Sequence, residues 1–190
     1  MTVPTTDEHR TNFESWYVSP LQSLYTNPDA GFVIIITVFA LLERYLRQKN
    51  GLSPKDNLTD QAWVSLCDLF PTLASKELAH DFWDATRNGL LHQITFQTSR
   101  PRNGETPPGI SFSHEYTSDL RFSEGRFELH PQKFCETVLN AITINFGVYC
   151  GVNANTKLPS VSARVRQYQE GKLDRKAVPP GQIALTTSVE

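Results

Sequence analysis

The chain has 190 residues, which is enough for one ordinary domain with a hydrophobic core of its own. Hydrophobic residues make up 39% and charged residues 20% of the sequence, so the composition is globular and excludes a long disordered chain. The formal net charge of −2 excludes a strongly basic nucleic-acid binder, and any contact with RNA must therefore be local.

Cysteine use and hydropathy both predict a protein of the reducing cytoplasm. Cys67, Cys135 and Cys150 are widely spaced and form no C-x-x-C pair, which favours neither a disulfide framework nor a zinc site. The N-terminus is polar and does not resemble a secretory signal. The most apolar segment, residues 31–42, is about a dozen residues long, whereas a membrane span needs roughly 20. We therefore expect this segment to be a buried core helix and expect no membrane partner.

The first half of the chain shows helical periodicity. Residues 12–25 carry apolar side chains at intervals of three and four, with Pro20 predicting a kink or break. A second helix is expected from Asp29, as N-cap, to about residue 48, where Asn50-Gly51 supplies a C-cap. A third helix should begin after Thr59 or Asp60 and stop near Pro71. A fourth is expected at 75–93, and a Pro- and Gly-rich loop should follow at 98–109.

The second half combines strand and helix signals. Between residues 110 and 116 apolar or aromatic residues alternate with polar ones, and two further short strand patterns flank Ser123-Glu124-Gly125. These patterns predict a small sheet containing a β-hairpin. Pro131 is a favourable first residue for a fifth helix, whose apolar face continues to a stop at Gly151.

The predicted fold is mainly α: an up-down bundle of four to five helices with a small β-hairpin inserted before the last helix. We expect a flexible N-terminus at 1–11, a helical domain at 12–151 with its hairpin insertion at about 109–130, and a C-terminal tail at 152–190. The tail is assigned because it has few large apolar residues and contains Pro179-Pro180-Gly181.

One group of residues on the fourth predicted helix has side chains suited to catalysis. Arg87-Asn88-Gly89-Leu90-Leu91-His92 places an arginine and a histidine near the end of an amphipathic helix. Histidine exchanges protons near neutral pH, and the forked donors of arginine bind and neutralise a phosphate. These two residue types suit metal-free cleavage of RNA by its own 2′-hydroxyl. Asn88 lies four residues before His92, a spacing at which its amide can orient the imidazole.

The segment FWDATRNGLLHQ resembles the R-x4-6-H motif of HEPN domains, in which a polar residue, often Asn, follows the arginine. The apolar run that ends in Leu41-Leu42-Glu43-Arg44-Tyr45-Leu46 is similar to the penultimate bundle helix of that superfamily. The similarity covers roughly residues 13–92, and the fifth predicted helix can belong to it as well.

The resemblance implies a helical bundle that forms a homodimer and brings two copies of the motif into one RNA-cleaving cleft. Such a protein needs no metal or cofactor, and many members of the superfamily are toxins or act in defence against phage. Arg87 would bind the phosphate, His92 would act as general acid or base, and Asn88 would position His92. An antitoxin or other regulatory protein is a further expected partner.

Helix geometry opposes the simplest form of this site. Five residues along a regular α-helix turn the chain by about 140°, so Arg87 and His92 do not share one face. Two solutions stay open: Gly89 lets the helix loosen or end, or a two-fold dimer brings Arg87 of one chain to His92 of the other. The resemblance implies the second.

Simpler interpretations of the same residues also stay open. Arg87 can pair with Asp84, and His92 can interact with the last carbonyls of its helix. Glu43 is either an acidic member of the site or the partner of Arg47 four residues later. His80, Asp81 and Asp84 contain metal-ligand types, but we interpret them as solvated polar residues and expect no metal.

Four further arginines follow the motif and form a candidate basic rim for RNA phosphate: Arg100, Arg102, Arg121 and Arg126. Scattered surface charge explains them equally well. The alternative function, from a different class, is a non-catalytic HEPN-like dimer that binds RNA, a nucleotide or a partner protein as a scaffold.

Overall fold

The structure is a computed structural model that describes the backbone of residues 6–53, 55–93 and 108–150. Side chains are described for the same residues, apart from residue 6 and residues 88–93. All of these residues belong to one unit, Met1–Pro159. This part of the chain is mainly helical and carries a small three-stranded sheet, as the sequence predicts. The predicted tail at 152–190 lies outside the described residues.

The first predicted helix is a chain of three helical pieces. Helix α1 spans Thr6–Phe13, a π-helical turn spans Glu14–Val18, and helix α2 spans Ser19–Ser23. Pro20 lies in the first turn of α2, where its missing N–H and its ring are tolerated. The wider π turn therefore takes up the irregularity that Pro20 predicts. The helix begins at Thr6, earlier than the predicted start at Asn12.

Helix α3 spans Gly31–Lys49 and follows a 3-10 turn at Pro28–Ala30. The prediction that Asp29 is the N-cap is wrong. The Asn27 side chain accepts a hydrogen bond of 2.9 Å from the backbone N–H of Asp29, so the residue whose side chain caps this start lies two residues earlier, before the 3-10 turn. An Asx-capped turn of this kind starts the chain into a helix before the apolar stretch begins.

The end of α3 follows the predicted glycine cap. Gly51 has φ +63°, and its N–H donates to the Gln48 carbonyl at 3.3 Å. The Leu52 N–H donates to the Arg47 carbonyl at 2.9 Å, which completes a Schellman motif. This turn directs the following loop back along α3.

Helices α4 and α5 span Asp60–Leu69 and Lys76–Gln93. Thr59 is the N-cap residue of α4 and has extended backbone angles. Ser75 Oγ accepts a 3.2 Å hydrogen bond from the Leu78 N–H and so caps the start of α5. Both helix starts agree with the sequence prediction.

The sheet has the strand order β1-β3-β2, with β1 at Gly109–Phe112, β2 at Leu120–Ser123 and β3 at Arg126–Leu129. β2 and β3 are antiparallel, and the two residues between them, Glu124 and Gly125, have φ of 53° and 73°. Positive φ at both positions is what a type I′ turn requires. β1 pairs with β3 in parallel, which the sequence pattern did not predict.

The register places apolar and polar residues on opposite faces of the sheet. One face carries these apolar side chains: Ile110, Phe112, Leu120, Phe122, Phe127 and Leu129. The Phe127 ring lies 5.2 Å from that of Phe82 on α5, so this face covers the helices. The other face carries Arg121, Arg126 and Glu128. Because β1 ends at Phe112, the alternation predicted as far as residue 116 does not continue as strand.

Helix α6 spans Pro131–Ile144, and helix α7 spans Phe146–Cys150 after a break at Asn145. His130 caps α6, since its Nδ1 accepts from the Lys133 N–H at 3.4 Å. Pro131 is the first residue of α6, as predicted. The break at Asn145 divides the predicted fifth helix in two.

The core is centred on α3, which packs against α4, α5, α6 and α7. It contains an aromatic cluster around Phe134, whose ring lies 4.7 Å from that of Phe70 and 5.3 Å from that of Phe39. These three residues have no exposed surface. Among the described helices, none is long and apolar enough to cross a membrane.

Candidate functional site

The candidate site is a cavity of about 420 Å³, called the α5 pocket below, between α5 and the loop that follows α3. It lies in the size range of small-molecule sites, roughly 300–1,000 Å³. Side chains from α3, the 53–58 loop, α4 and α5 form its wall: Arg47, Asn57, Leu58, Trp63, His80, Trp83, Asp84 and Arg87. Arg87, one of the motif residues predicted from the sequence, therefore lines a cavity.

Glu43 on α3 connects two of the arginines in this region. Its Oε1 lies 2.8 Å from Arg47 Nη2 and 3.5 Å from Arg87 Nη2. The side chains of Glu43 and Arg47 are 16% and 11% exposed, so this pair is shielded from solvent, whereas Arg87 is 31% exposed. The predicted pairing of Glu43 with Arg47 is confirmed. Glu43 also holds Arg87 across the α3–α5 interface.

Arg47 has a structural role. Its Nε and Nη2 both donate to Glu43, and its Nη1 donates to the carbonyls of Ser53 and Asp56 at 2.9 Å and 2.7 Å. These bonds connect Ser53 and Asp56 to α3. Because the guanidinium donors serve protein acceptors, Arg47 shapes the wall of the pocket.

Three polar residues of α5 line the pocket from one side of the helix. His80, Asp84 and Arg87 stand at intervals of four and three residues, which keeps their positions within about 60° around the helix axis. His80 Nδ1 faces Asp84 Oδ2 at 3.4 Å. This contact places a carboxylate beside the imidazole ring.

Aromatic rings close the inner side of the pocket. The Trp63 ring on α4 lies 5.1 Å from the His80 ring and 6.3 Å from the Trp83 ring, with both pairs edge to face. Trp63 and Trp83 are 9% and 5% exposed, so their rings belong mainly to the core. The pocket therefore has buried aromatic rings on its inner side, next to the charged side chains of α5.

Helix α5 continues without a break through Gly89 to Gln93. The alternative in which Gly89 ends or loosens the helix is therefore wrong. Positions 87 and 92 of one chain remain about 140° apart around the helix axis. The side chains of Asn88 and His92 lie outside the described part, so the two catalytic candidates beside Arg87 remain predictions.

The predicted basic rim is described only at the sheet. Arg121 on β2 is 57% exposed, and its Nε pairs with Glu128 Oε2 at 3.0 Å across the strands. Arg126 is exposed on the same polar face. Arg100 and Arg102 lie outside the described residues.

The cysteines offer no activated nucleophile. All three thiols are unpaired with one another, and burial raises the pKa of Cys135 and of Cys150 to about 11. Burial also raises the pKa of Cys67. At neutral pH these thiols are protonated, and the thiolate is the reactive form. Within the described part of the chain, no group of three or more His, Cys, Asp or Glu side chains is placed to hold a metal.

From the sequence, Asp84 is predicted as an alternative partner of Arg87, but His80 only as a metal-ligand type, so the place of His80 in a pocket with Arg87 was missed. The signal was present, because positions 80, 84 and 87 repeat at helical spacing on one face of α5. Trp63 and Asn57 could not have been assigned to the pocket, since only the packing of α4 and the loop against α5 brings them there.

No family model, no curated protein and no solved structure matches this chain. The resemblance of residues 13–92 to HEPN domains thus remains a prediction from the sequence.

Proposed function

We propose that the protein is a metal-independent endoribonuclease of the HEPN type, a cytoplasmic homodimer that serves as a toxin or anti-phage effector. The observation that supports this function best is the placement of Arg87. It is partly exposed at a cavity of ligand size, is held by Glu43 at 3.5 Å, and lies on the unbroken helix that also contains His92. An oriented cation beside an open cavity is what phosphate binding requires.

The reaction is an intramolecular transesterification. A base removes the proton of the ribose 2′-hydroxyl, the 2′-oxygen attacks phosphorus, and the 5′-oxygen leaves with a proton from an acid. Arg87 stabilises the negative charge that develops on the phosphate oxygens, His92 transfers protons, and Asn88 positions His92. The products are one strand with a 2′,3′-cyclic phosphate and one with a 5′-hydroxyl.

The continuous α5 favours a composite site. Since positions 87 and 92 diverge around one helix, the proposed dimer pairs Arg87 of one chain with His92 of the other across a two-fold axis. The proposal includes the up-down helical bundle of the superfamily as the scaffold that presents α5 to its partner.

The same unbroken helix favours a second candidate function, a non-catalytic dimer that binds RNA, a nucleotide or a partner protein. Without a change of helix geometry at Gly89, a single chain does not bring positions 87 and 92 together. The two functions differ in whether the dimer cleaves RNA.

Purified protein incubated with total cellular RNA in EDTA tests the proposal. We expect cleavage by the wild type that leaves 2′,3′-cyclic phosphate ends, and a loss of at least about 100-fold in Arg87→Ala and His92→Ala. Lys49→Ala is the control, because it removes an exposed positive charge at the end of α3 that does not line the pocket. Each variant is first shown to fold by circular dichroism. Absence of cleavage, or equal cleavage by all variants, would favour the non-catalytic dimer.

Mixed dimers test the composite site. Arg87→Ala and His92→Ala chains refolded together in equal amounts give half heterodimers, each with one intact site of two. We therefore expect about a quarter of wild-type activity from two chains that are inactive alone. No recovery in heterodimers verified by mass spectrometry would place Arg87 and His92 of one chain in the same site.

A further inference from the structure

The α5 pocket contains polar groups that phosphate chemistry does not use. Asp84 is a carboxylate with 36% of its side chain exposed, and it stands one turn from Arg87 toward the N-terminus of α5. This carboxylate cannot itself bind the phosphate, because both groups are anions and a carboxylate has no hydrogen-bond donor. Its presence in the wall points to a different part of the ligand.

The position of Asp84 relative to the buried aromatic rings indicates what that part is. His80 and Trp63 form the end of the pocket that is farther from Arg87, and His80 stands about 10 Å from Arg87 along the helix axis. This length corresponds to the distance between the phosphate and the far edge of the base in one nucleotide. Asp84 stands about 4.5 Å from Arg87 along the same axis, so the base of a nucleotide whose phosphate is at Arg87 can extend past Asp84 toward His80.

The hydrogen-bond donors of the four bases indicate which base a carboxylate binds best. A carboxylate only accepts hydrogen bonds, and it accepts best from two N–H groups that lie side by side. Guanine has such a pair at N1 and N2. Adenine and cytosine place a ring acceptor beside their amino group, and uracil has one N–H between two carbonyls. Asp84 Oδ2 lies 3.4 Å from His80 Nδ1, which places the carboxylate beside the imidazole on the pocket wall.

We propose that the α5 pocket is a guanine-selective nucleotide subsite, in which Asp84 accepts from the N1 and N2 groups of the base next to the phosphate at Arg87. This inference rests on the proposed function for its identification of the ligand as RNA. It adds the base preference: cleavage occurs next to guanosine. His80 lies beside Asp84 in this subsite, and the Trp63 ring contacts the His80 ring edge to face.

Binding of single nucleotides tests the subsite without any cleavage. Calorimetric titration of the full chain with guanosine 3′-monophosphate should give the lowest Kd among the four ribonucleoside 3′-monophosphates. In Asp84→Asn, where one carboxylate oxygen becomes an N–H donor, we expect this preference to fall by roughly 5- to 100-fold. Asp81→Asn is the matched control, because it makes the same substitution on the same helix outside the pocket wall.

Every result bears on the proposal. A guanosine preference that Asp84→Asn removes and Asp81→Asn retains supports the subsite, even in a protein that cleaves no RNA, in which case only the proposed ribonuclease function fails. Equal affinities for the four nucleotides, no nucleotide binding, or a preference unchanged in Asp84→Asn would overturn the subsite. Cleavage of RNA in EDTA with no enrichment of guanosine at the cut would overturn it while leaving the ribonuclease intact.

Discussion

The α5 pocket and the polar face of the sheet both contain arginines, but they hold them differently. Beside the pocket, Glu43 on α3 is 16% exposed and pairs with Arg47 and Arg87, which both line the pocket wall. On the sheet, Arg121 is 57% exposed and pairs with Glu128 across two strands. A shielded ion pair is far more sensitive to loss of one partner than an exposed pair. The comparison indicates that the burial of the paired carboxylate determines how strongly an arginine side chain is held in one position.

The largest expected effect comes from removing the negative charge of Glu43 beside the pocket. In Glu43→Gln the guanidinium of Arg47 stays largely buried and loses its charged partner, while it keeps the carbonyls of Ser53 and Asp56. We expect the free energy of unfolding to fall by about 3 kcal/mol, measured by urea denaturation.

The matched change on the sheet is Glu128→Gln, which leaves Arg121 in contact with water. We expect a loss of less than about 1 kcal/mol. Equal losses in Glu43→Gln and Glu128→Gln would show that burial does not distinguish the two regions.

A smaller effect is expected at His130, where the sheet joins α6. Burial lowers the pKa of His130, and the charge of Lys133 and the neighbouring His114, 5.5 Å away between ring centroids, act in the same direction. The unfolded chain therefore binds a proton at His130 more readily than the folded chain does. The contribution of neutral His130 to the free energy of unfolding is fully present above about pH 6.5, and it is lost as the pH falls below that value. Thermal denaturation between pH 8 and 5.5 measures it.

The variant that isolates this effect is His130→Asn, because Asn keeps an N-cap acceptor for α6 but does not titrate. We expect its stability to vary less with pH than that of the wild type over the same interval. His9→Asn, which replaces a histidine on α1, is the control. A profile for His130→Asn that matches the wild type would assign the pH dependence to other groups.

The smallest expected effect concerns Arg121. In Arg121→Ala the free energy of unfolding should change by less than about 0.5 kcal/mol, because an exposed pair contributes little. If the basic rim binds RNA phosphate as predicted, the salt dependence of RNA affinity should weaken by about one counterion in a fluorescence anisotropy titration. An unchanged salt dependence would exclude Arg121 from the RNA interface.

Local signals in the sequence predicted much of the fold. Ser75 and Thr59 precede helices, Gly51 ends one, and Pro131 begins another, because each satisfies or omits a backbone group at a helix terminus. The alternation of apolar and polar residues that predicts a small sheet is also a local signal, since it indicates which side chains face the core.

Features that depend on distant parts of the chain were not predictable in this way. The parallel pairing of β1 with β3 joins segments separated by β2, and no local pattern specifies it. The contact between Glu43 and Arg87 likewise depends on how α3 packs against α5. A sequence motif singles out Arg87. The pocket residues from other elements, including Trp63, can be identified only once the packing of α4 against α5 is known.

Glu43 divides its charge unequally between two arginines, with 2.8 Å to Arg47 and 3.5 Å to Arg87. When an anion draws Arg87 away, Arg47 continues to neutralise Glu43, and no buried carboxylate is left alone. The long Arg87 side chain has meanwhile lost part of its rotational freedom before any ligand arrives, so less entropy is lost on binding. The unequal pair thus gives Arg87 an ordered resting position that it can leave at little energetic cost.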